Sequence, residues 1–436
     1  MRPRFHVIVV GGGPVGLTTA HALSLAGIDF TVLEQRSDIA PDSGASIILG
    51  PDSLRIMQQL GLLQQLEPIG FPLRRNTGVL VDGRIFKDST GFEFMRDQCG
   101  TAPQIFHRAE LVTILYQSLP DDAKFRVLRN KEVVSIESNE DGVSITCKDG
   151  SCYAGTIVIG TDGTHSRTRH MMRHLALKAN PGASWDPEGP FMASYKCMWC
   201  SFPRVSESGR SYETQHKDRS ITYISGRNRG WIFVYEKLPE SVEERQRFTE
   251  KDLMQFATSV YDYSIAEDLT VKDVFEDRLT AGIANLEEGI AQNWSWGRIV
   301  LAGDACHKFT PNAGYGLNDG IQDIVVLVNK LRQLIVQHGI SPTLPDLSSL
   351  FQEYHRERRQ KIEEDASESA HTTRLQAWAN PLYYFVSRYV LSVSLVEKVL
   401  AKLFISRGLK DSHILDFVPA DEPYKGTMTW KHPLTG

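Results

Sequence analysis

Gly11-Gly-Gly13-Pro-Val-Gly16 is the first string whose residue types and spacing carry chemistry. Gly11 permits a tight turn out of a strand, and Gly13 lets bare backbone approach a pyrophosphate. Gly16 allows the following helix to pack closely on that strand. The helix N-terminus then turns its unpaired N–H groups toward the phosphates. Glu34 stands where the second strand ends, placed to accept hydrogen bonds from an adenosine ribose. The string predicts a dinucleotide site but does not separate a flavin from a nicotinamide.

Two later strings have the same strand-into-loop form. Thr156-Ile-Val-Ile-Gly160-Thr-Asp162-Gly163-Thr-His-Ser166-Arg167 runs from an apolar strand into Asp-Gly and a Ser-Arg pair. Taken alone it is read equally well as a surface turn. The third string begins Arg298-Ile-Val-Leu-Ala-Gly303-Asp304 and continues through Pro311 to Gly314-Tyr-Gly316-Leu317. Its strand delivers Asp304 to the carboxyl end, where open α/β sheets bind ligands. The glycines then start a helix whose positive end favours negative charge on a bound group. A reduced flavin carries such charge.

The elements around these strings set their positions. Phe5–Val10 and Phe30–Leu33 read as buried strands flanking a helix from Pro14 to Ala26, closed by Gly27. Leu54–Leu66 and His107–Ser118 have helical spacing, and Val79–Phe94 carries hairpin signals. Lys131–Cys147 gives two strands, and Thr156–Gly160 and Arg298–Ala302 are further buried strands. From Phe191 to Glu236 the pattern is β. Asp319–Gln337 is a long helix, and the remainder from Leu347 is mainly helical. A nucleotide-type domain is thus interrupted by a β-rich one.

Composition bounds the function. The chain has 436 residues, 41% hydrophobic and 23% charged, with a net charge of −5, which gives no electrostatic reason to expect a nucleic-acid partner. Six cysteines are too sparse for a disulfide framework and suit a reducing compartment. Cys197-Met-Trp-Cys200 reads as two core thiols, His307 as a structural residue and Trp294-Ser-Trp296 as core aromatics, so no metal site is expected. The apolar run after Met1 is too short for a signal peptide, and no window reaches a spanning length. The expected location is intracellular, cytoplasmic or peripheral on an internal membrane, and not secreted. Trp378–Ile405 is rich in aromatic and aliphatic residues, including Tyr383-Tyr384-Phe385 and Leu395–Leu403, and is interrupted by Arg388, Glu397, Lys398 and Lys402. Packing onto the body is the favoured reading. A pocket cap, pairing with a second subunit and peripheral membrane contact stay open, as does the oligomeric state.

Taken in order, the three strings resemble the class A FAD-dependent (aromatic-hydroxylase-type) monooxygenases across roughly residues 5–335. The wording is closest to fungal enzymes that epoxidise or hydroxylate terpenoid and indole-derived secondary metabolites. Gly44-Ala-Ser46, His107-Arg108-Ala-Glu110-Leu111 and His307-Lys308-Phe309-Thr310-Pro311-Asn312 support the likeness. The resemblance implies FAD as cofactor, NADPH or NADH as co-substrate, and O2 turned into a flavin C4a-hydroperoxide that oxygenates an apolar small molecule. It places Gly11, Gly13, Gly16, Glu34, Ile48, Arg108, Asp162, Asp304, Gly314, Gly316 and Leu317 at the cofactor. Family members often carry Gly at the position of Ile48 and Ala at that of Leu317. The resemblance puts Pro311 and the Gly314–Leu317 backbone beside the flavin ring and Tyr212 at an active-site tyrosine position. Lys196 falls where relatives place a catalytic arginine, although lysine lacks the bidentate fork.

The fold expected is α/β: a Rossmann-like FAD-binding domain interrupted by a β-sheet substrate domain, with a helical C-terminal region. The expected parts are 1–175 and 281–344 for the FAD domain, 176–280 for the substrate domain and 345–436 for the C-terminal helices. The preferred function is NAD(P)H-dependent epoxidation or hydroxylation of a terpenoid, meroterpenoid or indole-type metabolite. Hydroxylation of a simple phenol or aromatic acid is the alternative by the same chemistry. A non-catalytic flavin-binding regulatory protein is the alternative from another class.

Overall fold

A computed structural model describes residues 5–42, 44–243, 245–338, 342–393, 396, 399 and 408–436. Most of the Leu395–Leu403 stretch lies outside the described residues. The first layer is a six-stranded sheet ordered Ser295–Trp296, Ile299–Leu301, Ile157–Gly160, His6–Val10, Asp29–Leu33 and Val127–Leu128. All but its first pairing are parallel. Its central strands read as unbroken apolar runs because both faces are covered. Ile8, Val9, Val158, Ile159 and Val300 are fully buried, each contributing about 1.5–3 kcal/mol of transfer free energy. Helices Pro14–Ala26 and Tyr315–His338 pack on this sheet and on each other. Gly27 closes the first helix at φ 68°, a left-handed conformation suited to glycine.

The second layer is an eight-stranded sheet: His307–Lys308, Thr280–Ile290, Met192–Pro203, Arg229–Val242, Arg219–Ser225, Arg210–His216, Arg75–Leu80 and Ile85–Ser89. The last two strands reach it from the N-terminal part of the chain, far from the Phe191–Glu236 stretch. The register of this sheet fixes its faces, because directly paired residues point the same way. Met198, Ile221, Tyr223, Ile232 and Val234 lie on one face, packed under helices Glu250–Thr258 and Val271–Glu276. Ile224 and Trp231 lie on the other and pack with Leu73 and with Ile48 and Ile105 of a small sheet, Ser46–Leu49, Gln104–His107 and Phe71–Pro72, which together with the six-stranded sheet forms the nucleotide layer.

Two local expectations change. The helix expected over Leu54–Leu66 ends at Gln59 and resumes at Leu63, broken at Gly61, whose φ is 71°. The hairpin expected through Phe94 ends at Ser89, and Gly91–Cys99 is a helix closed by Gly100 at φ 79°. Leu344–Gln376 starts with Thr343 and Asp346 bonding each other's backbone, a reciprocal cap. Beyond it, Gln215 Oε1 accepts hydrogen bonds from Trp378 Nε1 at 2.9 Å and from the Ser387 hydroxyl at 2.5 Å. This part of the C-terminal segment is therefore fastened to the second sheet, while Leu382, Phe385 and Tyr389 stay exposed. Among the described residues no helix is long and apolar enough to cross a membrane.

Candidate functional site

The three glycine-bearing loops meet because their strands end level. Val10, Gly160 and Leu301 are in register across neighbouring parallel strands. The Thr161 hydroxyl lies 3.0 Å from the carbonyls of both Val10 and Gly11, joining the second loop to the first. The Thr164 hydroxyl donates to Asp304 Oδ2 at 3.3 Å, joining it to the third.

Each glycine of the first loop answers a different constraint. At Gly11, φ is 105° and an added Cβ would lie 2.7 Å from the Thr161 carbonyl oxygen. At Gly16 the same atom would lie 1.9 Å from the Gly11 carbonyl, so the helix could not approach the strand. At Gly13 a Cβ would meet nothing within 4 Å. The protein therefore needs no glycine there, and the open space is where bare backbone can meet a phosphate.

Glu34 is 7% exposed. Its Oε2 accepts from the Gly12 N–H at 2.7 Å and its Oε1 from the Arg36 N–H at 2.8 Å. A carboxylate offers about four acceptor positions, so lone pairs remain for a ribose. Beside it lies an open cavity of about 570 Å³ lined by Arg36, Ser37, Asp38, Pro41 and Arg108. Burial holds the Arg108 guanidinium below its usual value, with Arg36 adding to this and Asp304 and Glu34 opposing. Two arginines on one wall suit an anionic ligand.

Asp304 sits in a short 3-10 turn after the third strand. Burial opposes its ionisation, yet Lys308 bonded to Oδ2, His307 nearby and the Thr164 hydroxyl hold the carboxyl below its usual range. The site therefore favours its anionic form, and Oδ1 lies 3.6 Å from the place a Gly316 side chain would begin. Gly314, at φ 73°, ends the Pro311–Ala313 turn, and Tyr315 opens the long helix. Pro311 itself is exposed. Asn312 Nδ2 donates to Gln376 Oε1 at 2.7 Å, tying this turn to the Leu344–Gln376 helix.

Ile48 meets the helix start at 314–318 that carries Leu317. Asn318 Nδ2 donates to the carbonyls of Ile48 at 3.0 Å and Gly314 at 2.7 Å, while its Oδ1 accepts from the Gly50 N–H at 2.8 Å. Asn318, directly after Leu317, is a site-building residue to which the sequence strings assign no role. An amide one turn inside a helix, with both donor and acceptor free to reach neighbouring loops, was the available signal.

Three expected site residues are placed differently. The Asp162 carboxylate accepts from the Ser166 hydroxyl at 2.5 Å and from the Thr168 N–H at 2.9 Å and hydroxyl at 3.0 Å. It caps the Arg167–Ala179 helix, because buried helix starts need acceptors. Tyr212 lies on the helix-covered face of the second sheet, its ring stacked 5.8 Å from Tyr223 and its hydroxyl accepting from Arg210 Nη2 at 2.9 Å. Lys196 lies on that same face, 4.6 Å over the Phe256 ring and 2.7 Å from Glu236 Oε1. Both therefore point away from the nucleotide layer, since an even step along a strand keeps the face and an odd step reverses it.

The face turned toward the nucleotide layer holds other groups. Glu213, Thr222, Phe233, Trp199 and Gly282 form one cross-strand row. The next row on one side contains Ile224 and Trp231, packed on Ile48 and Ile105. On the other side Gln215 is covered by Trp378 and Ser387. Between these closed ends Glu213, Thr222, Phe233 and Trp199 stay half-buried. The row is thus a half-open stretch of the face turned toward the nucleotide layer, and a cleft over it is part of the reading proposed below.

The remaining motif residues are structural. Cys197 and Cys200 are buried and, three apart on a strand, project to opposite faces, so they cannot share a metal. Burial pushes the Cys200 thiol up to about 12. His307 Nε2 lies 2.6 Å from Asp323 Oδ2, whose other oxygen accepts from Arg358 Nε at 2.8 Å. Trp294 is buried, with its N–H donated to the Ala291 carbonyl at 2.8 Å.

An FAD fits these residues. Gly13 leaves a side-chain-free approach, Glu34 retains acceptor capacity, and Arg36 and Arg108 line the cavity alongside.

Comparison with known proteins agrees. A family model described as an FAD binding domain matches residues 4–368. The FAD-dependent monooxygenase spyC of Aspergillus fumigatus is 35% identical over 429 residues, covering 96% of this chain and 89% of that protein. The FAD-dependent monooxygenase janM of Penicillium janthinellum is 32% identical over 436 residues, covering 99% and 88%. Among solved structures, p-nitrophenol 4-monooxygenase PnpA from Pseudomonas putida superposes with a TM-score of 0.75 at 19% identity, covering 95% of this chain and 100% of that one. Klebsiella pneumoniae HpxO complexed with FAD and uric acid gives 0.72 at 20% identity, covering 93% and 98%. At those identities the solved structures speak to the fold.

Proposed function

The chain belongs to the FAD-binding-domain family of FAD-dependent monooxygenases, and we propose that it uses NAD(P)H and O2 to epoxidise or hydroxylate an apolar terpenoid, meroterpenoid or indole-type metabolite. It is an enzyme, and its cofactor is FAD. When bound, FAD accepts a hydride and activates O2 so that one oxygen atom reaches the substrate as an electrophile.

In this reading the chain itself binds, orients and keeps dry. Gly11, Gly13 and Gly16 admit the pyrophosphate, Glu34 takes the ribose, and Arg108 offers charge-assisted hydrogen bonds. Asp304 accepts from the ribityl hydroxyls. Pro311 and the Gly314–Leu317 backbone flank the ring system, and the helix start there favours negative charge. Ile48 supplies backbone opposite, held by Asn318. Asp162 acts one step back, by fixing the loop that carries Thr161 and Thr164. We propose 1–175 with 281–344 as the FAD-binding part, 176–280 as the substrate part, and 345–436 as the C-terminal part. The Arg75–Ser89 hairpin and the strands Thr280–Ile290 and His307–Lys308 cross from the first to the second.

The observation that carries the substrate class is the half-open row of Trp199 and Phe233 between two closed ends of the second sheet. A broad aromatic floor favours a large apolar molecule. Within that row the charged side chain is Glu213, an anion poorly matched to an aromatic acid. The test is mass spectrometry of products from a panel of apolar metabolites with NADPH or NADH under labelled O2. One labelled atom in an isoprenoid or indole product supports the proposal. Incorporation confined to simple phenols or aromatic acids overturns it.

A further inference from the structure

We infer that Glu213, with Asn76 beside it, is the specificity-determining end of the cleft and takes an N–H or O–H donor of the substrate. The inference rests on the substrate reading above. Asn76 and Glu213 stand on the same face of neighbouring strands Arg75–Leu80 and Arg210–His216, the face turned toward the nucleotide layer. Asn76 Nδ2 donates to Glu213 Oε1 at 2.7 Å, and Gln215 Nε2 to Glu213 Oε2 at 3.5 Å.

Those two bonds fix the carboxylate without filling it, since about four acceptor positions are available. Asn76 Oδ1 is buried and has no hydrogen-bond partner. Buried acceptors are rarely left so, because an unmade hydrogen bond has a cost that water or a ligand ordinarily removes. The end of the row thus holds a carboxylate with unfilled lone pairs, beside a buried amide oxygen that has no partner. Such a pair selects a donor and rejects a substrate end that only accepts.

The rest of the row agrees in shape. Thr222 pairs directly with Glu213, then Phe233 and Trp199 continue across the sheet to Gly282. The fitting ligand is long, largely apolar and carries one donor at an end. With that donor on Glu213, the apolar body lies along Phe233 and Trp199, and the register of the molecule in the cleft is set. Glu213 therefore determines which carbon is presented for oxygenation.

The test uses the FAD-loaded enzyme and two pairs of probes: a farnesyl-substituted indole with its N-methyl derivative, and farnesol with its methyl ether. Binding is read from the perturbation of the bound flavin spectrum. Wild type is expected to bind at least one donor-bearing probe about tenfold more tightly than its methylated partner. The pair that shows it identifies N–H or O–H as the group recognised. Glu213→Gln should narrow the preference and Glu213→Leu abolish it, with FAD content retained by both. Equal binding within both pairs, or a preference that survives in Glu213→Leu, overturns the role of Glu213 alone. Failure of all four probes to bind wild type overturns the substrate reading beneath it.

Discussion

The indole of Trp199 occupies the place a side chain at Gly282 would take: an added Cβ would lie 2.4 Å from Trp199 Cζ2. The two residues are direct partners on adjacent strands, so glycine at 282 is what lets the ring lie flat along the cleft floor. Gly282→Ala is expected to lift the indole into the cleft and to cost about 1–3 kcal/mol by overpacking. The ratio kcat/KM for a bulky substrate should fall more than that for a small one. Gly282→Ala combined with Trp199→Leu should restore stability, since the smaller side chain vacates the clash. Thermal unfolding and steady-state kinetics read the two effects separately, and an unchanged substrate preference in Gly282→Ala would remove Trp199 from the floor.

Tyr212 and Lys196 give the opposite expectation. Tyr212→Phe removes one hydrogen bond from Arg210, worth about 1 kcal/mol. Lys196→Met removes one partner of Glu236, which keeps Arg219. Since both side chains lie under helices on the far face, kcat and the fraction of NAD(P)H oxidation coupled to product should stay within about twofold of wild type. A loss of a hundredfold or more, about 2.7 kcal/mol in the barrier, would mean that they reach the reacting atoms.

The direction of these two side chains shows what the sequence could not carry. The nucleotide layer was legible because Phe5–Val10, Thr156–Gly160 and Arg298–Ala302 are unbroken apolar runs, and glycine follows each where a side chain would collide. Packing reaches both faces of the second sheet and leaves only part of one half-open: Arg210–His216 alternates between Tyr212 on the helix-covered face and Glu213 on the half-open row, and most of its residues are buried. Without a wet face, the two-residue period loses its polar contrast and the direction of a single tyrosine is hidden. The Arg75–Ser89 hairpin joins this sheet through partners some 135 residues away, as Arg75 with Arg210, and local patterns do not encode such pairing. Asp162 was found as a chemical group, but its task at a helix start depends on the Ser166 and Thr168 geometry.

The His307–Asp323 pair makes stability depend on pH in a stated direction. Burial opposes charge on His307, yet Asp323 against it raises the imidazole above its usual value. Burial likewise opposes ionisation of Asp323, and His307 and Arg358 together hold it below its usual range. A raised histidine contributes stability that is complete below its unfolded value, about 6.5, and is lost as pH rises through the folded value. A lowered carboxyl contributes stability that is present above its unfolded value and lost as pH falls through the folded one. The pair therefore helps most between the carboxylate range and about pH 6.5. The Tm difference between wild type and His307→Gln should be greatest near pH 6 and shrink toward pH 9. A difference that grows with pH would mean the imidazole is neutral in the fold.

Gly13 and Gly16 separate cofactor binding from folding within a single turn. Gly16 packs the helix on the strand, and its substitution by Ala places an atom 1.9 Å from the Gly11 carbonyl. Helix and strand must part, so both Tm and FAD content should fall. Gly13 has φ −72° and open space beyond it, so alanine adopts the same backbone without strain. Gly13→Ala should leave the thermal unfolding of the FAD-free protein within about 0.5 kcal/mol of wild type. The added methyl nevertheless stands where the phosphate must come close, and the FAD dissociation constant should rise about tenfold or more, as overpacking of 1–3 kcal/mol implies. Titration of FAD into stripped protein, beside calorimetry of the same samples, distinguishes the two glycines. If Gly13→Ala binds FAD as tightly as wild type, the pyrophosphate does not pass over this turn and the cradle has been placed on the wrong loop.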